Sequence, residues 1–565
     1  MRLLYFALAS VCAVAIPAVV WLQPPGAPEP SASLESDTAT GALPEPAAPP
    51  PPSPELVELR QRLPTLLAKA PRDEADAITA FYETRHALLW LGDAGFTPKG
   101  KAVAAEIRKA DDWGLRAADF EVPRVAAGEV PLIAVATEAE VAMTRAVLKY
   151  ARHARGGRIR DPSRISKILD HTPPLLPPQR VLEDIAAADA PDAYLRALHP
   201  QHEQFQKLQK LLVKLRHPET NAADEGAIAL GANLPKADAL PWAEEAPTRK
   251  RKPLPAGVGA DIDRILVNME RWRWLPRDLG AFHVWNNVPE FLTRVVKDGK
   301  IVNSDRIVAG QPAWPTPSFS ADMKTIVFHP SWGVPDGIKR KELAPLLRKS
   351  SGGGLVSLFT GAPSSRAVLE GHNLDVYYKG RRIDPNQVDW ASANIAAYEF
   401  RQPPGPKNVL GTVKFLFPNK HDVYMHDTPE RDLFAREYRG LSHGCMRVGD
   451  PRRLAEVLLQ EDKGWSKEKV AGLYRSGTRS VELSSHIPVH NTYFTAMVDY
   501  KGNLRTFGDL YGLDARVGKT LLQRSVRFKT RRYDPTPAVS RQRQPTAQAG
   551  APQSLADVLN NIFSP

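Results

Sequence analysis

The chain has 565 residues, 43% hydrophobic and 24% charged, a composition that supports several folded domains and excludes a multispan membrane protein, a coiled coil and a wholly disordered chain. Its 75 Lys and Arg outnumber 63 Asp and Glu, a net charge of +12, which favours an acidic partner without choosing among nucleic acid, anionic lipid and cell-wall polymer. Two cysteines exclude a disulfide framework and a cysteine-based zinc site.

In chain order, Met1-Arg2 opens a run, Leu3 to Leu22, that is uncharged and almost wholly apolar. It is long enough to cross a bilayer, and residues 1–23 read as a signal anchor, with a cleaved signal peptide as the alternative. Residues 24–55 form a Pro-rich linker centred on Pro49 to Pro52, extended and semi-rigid. From 56 to 216 the apolar spacing is helical. Ile78, Phe81 and Tyr82 mark one helix, Lys99–Ala110 and Glu138–His153 two more. His202–Leu215 carries Phe205, Leu208, Leu211, Leu212 and Leu215 on one face. This is a helical scaffold domain without a catalytic cluster.

Residues 217–259 lack periodicity and read as a linker; their basic run, Arg249 to Lys252, is a solvated stretch and not a nucleic-acid site. From 260 to 516 a helix at Arg264–Trp274 is followed by short strands: Phe282–Val288, Phe291–Val296, Ile301–Ala309, Thr325–Phe328, Val413–Phe417, Val423–Met425, and the hairpin Tyr493–Val498 with Leu504–Phe507. The spacing predicts a β-rich domain. A less regular segment, about 336–405, reads as an inserted subdomain that covers a site. Residues 517–565 read as a basic tail. The fold class is multidomain α + β.

Chemistry concentrates in two stretches, Tyr424-Met425-His426-Asp427-Thr428 and Ser442-His443-Gly444-Cys445-Met446-Arg447. With Cys12 inside the apolar run, Cys445 is the one cysteine of the exported part, where an idle thiol is a liability. A neighbouring imidazole takes a thiol proton and stabilises the thiolate as an ion pair. Attack on a carbonyl then creates an oxyanion that needs donors, and Gly444 lets the backbone approach closely. These residue types leave blander roles open: a buried structural thiol, His443 holding its loop, His426 as a surface histidine, Arg447 paired with a carboxylate.

The segment Ser442 to Val448, preceded by His426 in Tyr-Met-His-Asp-Thr-Pro, resembles the catalytic signature of the L,D-transpeptidases of YkuD type. Asn268 to Pro276, Pro315-Thr316-Pro317, His329 to Pro335, Arg401 to Gly405 and Pro406 to Gly411 are similar to its large, YcbB-like branch. The resemblance covers about 260–515 and, loosely, the helical region. It implies an L,D-transpeptidase catalytic domain with a capping insertion. Cys445 would be the nucleophile and His426 the general base and acid. Gly444, Tyr424, His443 and Ser442 would support the loop or the oxyanion, and Arg447 would receive a substrate carboxylate. It further implies a periplasmic enzyme without metal or organic cofactor, acting on diaminopimelate-containing tetrapeptide stems of peptidoglycan as donor and acceptor, forming 3→3 cross-links, and taking carbapenem adducts at Cys445. Inner-membrane anchoring through residues 3–22 fits the same picture, and nucleic acid does not. An L,D-carboxypeptidase and an enzyme that attaches proteins to the wall would use the same site; a non-catalytic wall-binding scaffold is the alternative of another class. The peptidoglycan-binding module frequent in the large relatives has no counterpart in 217–259.

Overall fold

The computed structural model describes residues 51–125, 132–218, 257–350, 364–526 and 528. The apolar run 3–22, most of the Pro-rich and 217–259 linkers, the Gly352–Gly354 stretch and residues 529–565 lie outside the described residues. Among the described residues no helix is long and apolar enough to cross a membrane.

The N-terminal part is helical: α1 (Pro54–Leu66), α2 (Arg72–Glu83), α3 (Pro98–Arg108), α4 (Ile133–Gly156), α5 (Pro178–Ala187), α6 (Pro191–Ala197) and α7 (Glu203–Arg216), with one small hairpin of β1 (Leu91–Gly92) and β2 (Gly95–Phe96). Pro at the first turn and a side-chain cap start α1 (Ser53) and α3 (Thr97), where a missing N–H costs nothing. Helix α4 is buried along most of its length and forms the centre of the helical core.

Helix α8 (Val258–Trp272) joins this part to the next. It packs with α7 and the later strands in one shared apolar cluster, Phe205, Leu208, Leu212, Ile265, Met269, Trp272 and Phe494 among them. Just beyond it Arg273, 1% exposed, donates to the carbonyls of Trp113 and Ala154. A buried guanidinium with such partners locks two domains together, because removing either side strands a desolvated charge.

The strands that follow are β3 (Phe282–Asn287), β4 (Leu292–Lys297), β5 (Lys300–Gly310), β6 (Phe319–Phe328), β7 (Trp332–Gly333), β8 (Asp375–Tyr378), β9 (Arg381–Arg382), β10 (Tyr398–Gln402), β11 (Val413–Leu416), β12 (Met425–His426), β13 (Gly440–Ser442), β14 (Met446–Val448), β15 (Arg479–Thr492), β16 (Ala496–Val498) and β17 (Leu504–Thr506). Eight of them run in the order β5-β14-β12-β11-β6-β15-β3-β4, and β4 returns to β5, so the sheet closes; β13 adds to β5. Closure removes the exposed edges of a sheet. Val284, Ile307, Ile326, Phe328, Phe415, Met425 and Met446 fill the interior.

Between β6 and β11 the chain leaves this sheet. Strands β7, β10, β8 and β9 make a separate antiparallel sheet with its own core of Leu347, Leu369, Val376, Trp390 and Phe400.

Three boundaries differ from the sequence reading, the first being 259/260, which falls inside α8 (Val258–Trp272). The division at 516/517 falls within a helix, Leu513–Leu522, whose Val517 and Leu521 are buried in the shared cluster. Only its exposed face carries Arg516 and Lys519, so basic composition hid an amphipathic helix. The linker reading of 24–55 also runs too far, since Ser53 already caps α1.

Candidate active site

The sheet register brings the two chemical stretches together. Strands β12 and β14 are parallel neighbours, with Met425 beside Met446 and His426 beside Arg447. The turn before β14 carries Cys445, and both Cys445 and His426 line one cavity of about 100 Å³ together with Trp332, Ile338, Tyr424, Glu430, Ser442, His443 and Arg447. The cavity lies where the inserted subdomain meets the closed sheet, because Trp332 and Ile338 belong to the insertion.

The turn that carries Cys445 is held from several sides. Gly444 has φ +104°, a conformation that L side chains rarely adopt. Thr316 Oγ1 donates to the Gly444 carbonyl at 2.7 Å and accepts from Gly310 N–H at 2.8 Å. Tyr511 Oη accepts from Thr316 N–H at 3.0 Å and donates to the Gly310 carbonyl at 2.7 Å. Gly310 is a glycine by necessity of contact, since a Cβ there would collide with the Trp314 carbonyl. The Ser442 hydroxyl donates to the Cys445 carbonyl. That bond fixes the turn and commits the hydroxyl's proton.

His426 is buried, 5% exposed. Its Nδ1 donates to the Asp427 carbonyl at 2.5 Å, which leaves Nε2 as the basic nitrogen. Asp427 is itself fixed: its carboxylate accepts from Thr412 N–H and Oγ1, Thr428 N–H and Arg431. Burial, then the nearby Arg447 and Lys414 charges, push the imidazole down to about 3. Burial pushes the Cys445 thiol up to about 11, against hydrogen bonds from the Tyr424 N–H and hydroxyl and the Lys414 charge; the thiol donates weakly to the Asp422 carbonyl at 3.8 Å. Both shifts favour the neutral thiol and the neutral imidazole over the ion pair that the sequence suggests.

Tyr424 lines the cavity with Cys445 and Trp332 and packs against the apolar cluster of the insertion. His443 also contacts the insertion: its Nε2 lies 2.9 Å from Glu342 Oε1, and its ring packs 5.6 Å from Trp314. Glu342 sits in a π-helical turn, Lys339–Leu343, a distortion that recurs at functional sites. Arg447 is engaged by Glu430 at 2.5 Å, so a substrate carboxylate meets a guanidinium that already has a partner. Trp390 is core of the insertion.

Sequence reasoning missed Gly310, Thr316, Glu342, Lys414, Glu430 and Tyr511. The Pro315-Thr316-Pro317 motif pointed to one of them without a role; the others carry no local signal.

Residues 281–471 match the family model of the L,D-transpeptidase catalytic domain, YkuD, and residues 76–212 match a scaffold domain. The chain carries an L,D-transpeptidase catalytic domain. A curated relative from Haemophilus influenzae, provisionally named as an L,D-transpeptidase, is 30% identical over 259 residues, 45% of this chain and 48% of its own length. The chain thus spans about half the length of that relative. Among solved structures, an L,D-transpeptidase from Mycobacterium smegmatis aligns at 12% identity over 38% of this chain and 58% of its own, with a TM-score of 0.16. L,D-transpeptidase 1 of Mycobacterium tuberculosis aligns at 12% identity over 38% and 61%, with a TM-score of 0.15. At those scores the family rests on the domain match and the curated relative. Among the described residues, no group of three His, Cys, Asp or Glu side chains could hold a metal ion.

Proposed function

We propose that the protein is a peptidoglycan L,D-transpeptidase of the large, YcbB-like branch that forms 3→3 cross-links through a cysteine acyl-enzyme. The observation that carries this reading is the single small cavity into which Cys445, His426, Tyr424 and Arg447 all open beneath the inserted subdomain.

In this mechanism His426 Nε2 takes the thiol proton as Cys445 Sγ attacks the carbonyl carbon between diaminopimelate and the terminal D-Ala of a donor tetrapeptide. The oxyanion is held by the backbone N–H groups at Gly444 and Cys445 and by the Tyr424 hydroxyl. The C–N bond breaks, the imidazolium returns its proton to the departing D-Ala amine, and a thioester remains. The side-chain amine of an acceptor diaminopimelate then attacks the thioester, His426 takes a proton from it, the C–S bond breaks and the thiol is restored. Because the resting couple is neutral, the thiolate forms only as substrate arrives, which spares an exported thiol from oxidation. A covered, mostly apolar cavity favours an oriented amine over water. Glu430 and Arg447 present one charge of each sign, complementary to the ammonium and carboxylate of a free diaminopimelate centre. Export rests on the run Leu3–Leu22, and a carbapenem would acylate the same sulfur.

The test is incubation of the protein with disaccharide-tetrapeptide, followed by product mass analysis beside a Cys445→Ala variant. The expected product is a dimer lighter by one D-Ala, absent with the variant. Tripeptide without dimer would make water the acceptor and the protein a carboxypeptidase. No reaction by a folded protein would leave a wall-binding scaffold.

A further inference from the structure

Lys414 lies beside the candidate site although no motif marks it. On β11 it is the cross-strand partner of His426 on β12. It is half-buried, and its Nζ lies 3.8 Å from the centroid of the Tyr424 ring. Among the described residues it makes no ion pair; the carboxylate that acts on it, Asp422, does so from beyond contact. A partly desolvated ammonium without a carboxylate partner is costly to keep in a fold unless it has other work.

The chemistry on the far side of the ring suggests that work. Tyr424 and Trp332 line the same cavity as Cys445, and Tyr424 lies near enough to the thiol to favour its ionised form. A cation against a phenol ring is attracted by its π face and draws electron density from the O–H, making it a stronger donor. The same cation is near enough to Cys445 for the two to feel each other's charge. We propose that Lys414 is a positioning residue for acyl transfer: its ammonium holds the Tyr424 phenol against the sulfur and supplies the positive charge that the thiolate needs once its proton has left for His426. The inference rests on Cys445 being the nucleophile of the proposed reaction.

The other charges facing the thiol and its base come from several elements: Asp422 and Tyr424 ahead of β12, His426 on β12 and Arg447 on β14 with its partner Glu430. His443, paired with Glu342 of the insertion, lines the same cavity. Of these only Arg447 repeats the positive charge of Lys414, and Glu430 offsets it. Lys414 is thus the cation without a contacting counter-charge in the group.

The test uses the full-length protein and reads thiol acidity separately from turnover. Iodoacetamide alkylation is followed against pH on the peptide containing Cys445, for wild type, Lys414→Met, which keeps the length and loses the charge, and Lys414→Arg, which keeps the charge. In Lys414→Met the alkylation midpoint should rise by about one pH unit, so that alkylation below the midpoint slows about tenfold; Lys414→Arg should restore most of the wild-type profile. Turnover of disaccharide-tetrapeptide should fall in Lys414→Met through kcat and not KM, with the loss narrowing as pH rises. Lys414→Gln, with matched near-UV circular dichroism, serves as a second neutral variant should Lys414→Met fail to fold. A wild-type midpoint in the neutral variants, or equal losses in Arg and neutral variants with no change in profile, would overturn the proposal. If wild type alkylates normally but never releases D-Ala, the transpeptidase reading fails, while a shifted midpoint in Lys414→Met would still uphold the electrostatic assignment.

Discussion

The shifts at Cys445 and His426 both oppose a preformed thiolate–imidazolium pair. Burial raises the thiol to about 11 and, with Arg447 and Lys414, lowers the imidazole to about 3. The general base must be neutral to accept a proton, and a lowered imidazole stays neutral far below the ordinary histidine value of ~6.5. It follows that kcat/KM for the donor should show no acid limb near pH 6.5 and should stay level from about pH 5 to 9. A bell with its acid arm near 6.5 in a pH–rate profile would contradict the assignment of His426. At this scale the motif was legible, because Ser442 to Arg447 are contiguous and His426 lies in an equally compact run. The state of the proton was not, since it depends on enclosure by β11, β14 and the insertion, none of which is local in the chain.

The turn that carries Cys445 works as a unit with distant backbone. Thr316 links the Gly310 N–H to the Gly444 carbonyl, and Tyr511 closes the ring of bonds from the far end of the domain. Thr316→Val keeps the shape and removes both hydroxyl bonds, leaving a buried donor and a buried acceptor unmatched at a cost of about 1–3 kcal/mol. We expect its kcat to drop roughly tenfold with little change in KM, on the scale of a disturbed oxyanion site; steady-state kinetics at wild-type kcat would remove Thr316 from the site. Short alternating strands such as Phe282–Asn287 and Leu292–Lys297 were readable from their pattern, and so were the amphipathic helices. The longest strand, Arg479–Thr492, was not: its register breaks between Glu482 and Ile487, and Pro488 interrupts it, so the period of two is lost midway. The helix Leu513–Leu522 was missed for the opposite reason, its buried Val517 and Leu521 lying beside Arg516 and Lys519 at the start of a basic stretch that reads as tail.

For the molecule as a whole, the helical part is more than a spacer. Its Asp170 pairs with both Lys420 and His421 at 2.7 and 2.8 Å, immediately before Asp422, whose carbonyl meets the Cys445 thiol. Leu169 forms a bridge with Ser318 next to the Pro315–Pro317 turn, and Arg273 and Arg277 bond carbonyls of the helical part from the other side. The two parts thus share a core and a charged seam that ends beside Cys445, a coupling that composition and periodicity cannot express, because it is made by single residues far apart in sequence. All the chemistry proposed for this arrangement passes through one thioester on Cys445. The decisive measurement is intact-mass spectrometry, after rapid acid quench, of the protein mixed with a tetrapeptide donor that lacks a usable acceptor amine. An adduct equal to the donor minus D-Ala, carried by the Cys445 peptide and missing from Cys445→Ala, is the expected result. D-Ala release with no such adduct, or an adduct of the same mass on Cys445→Ala, would contradict the acyl-enzyme and with it the roles assigned to His426, Tyr424 and Lys414.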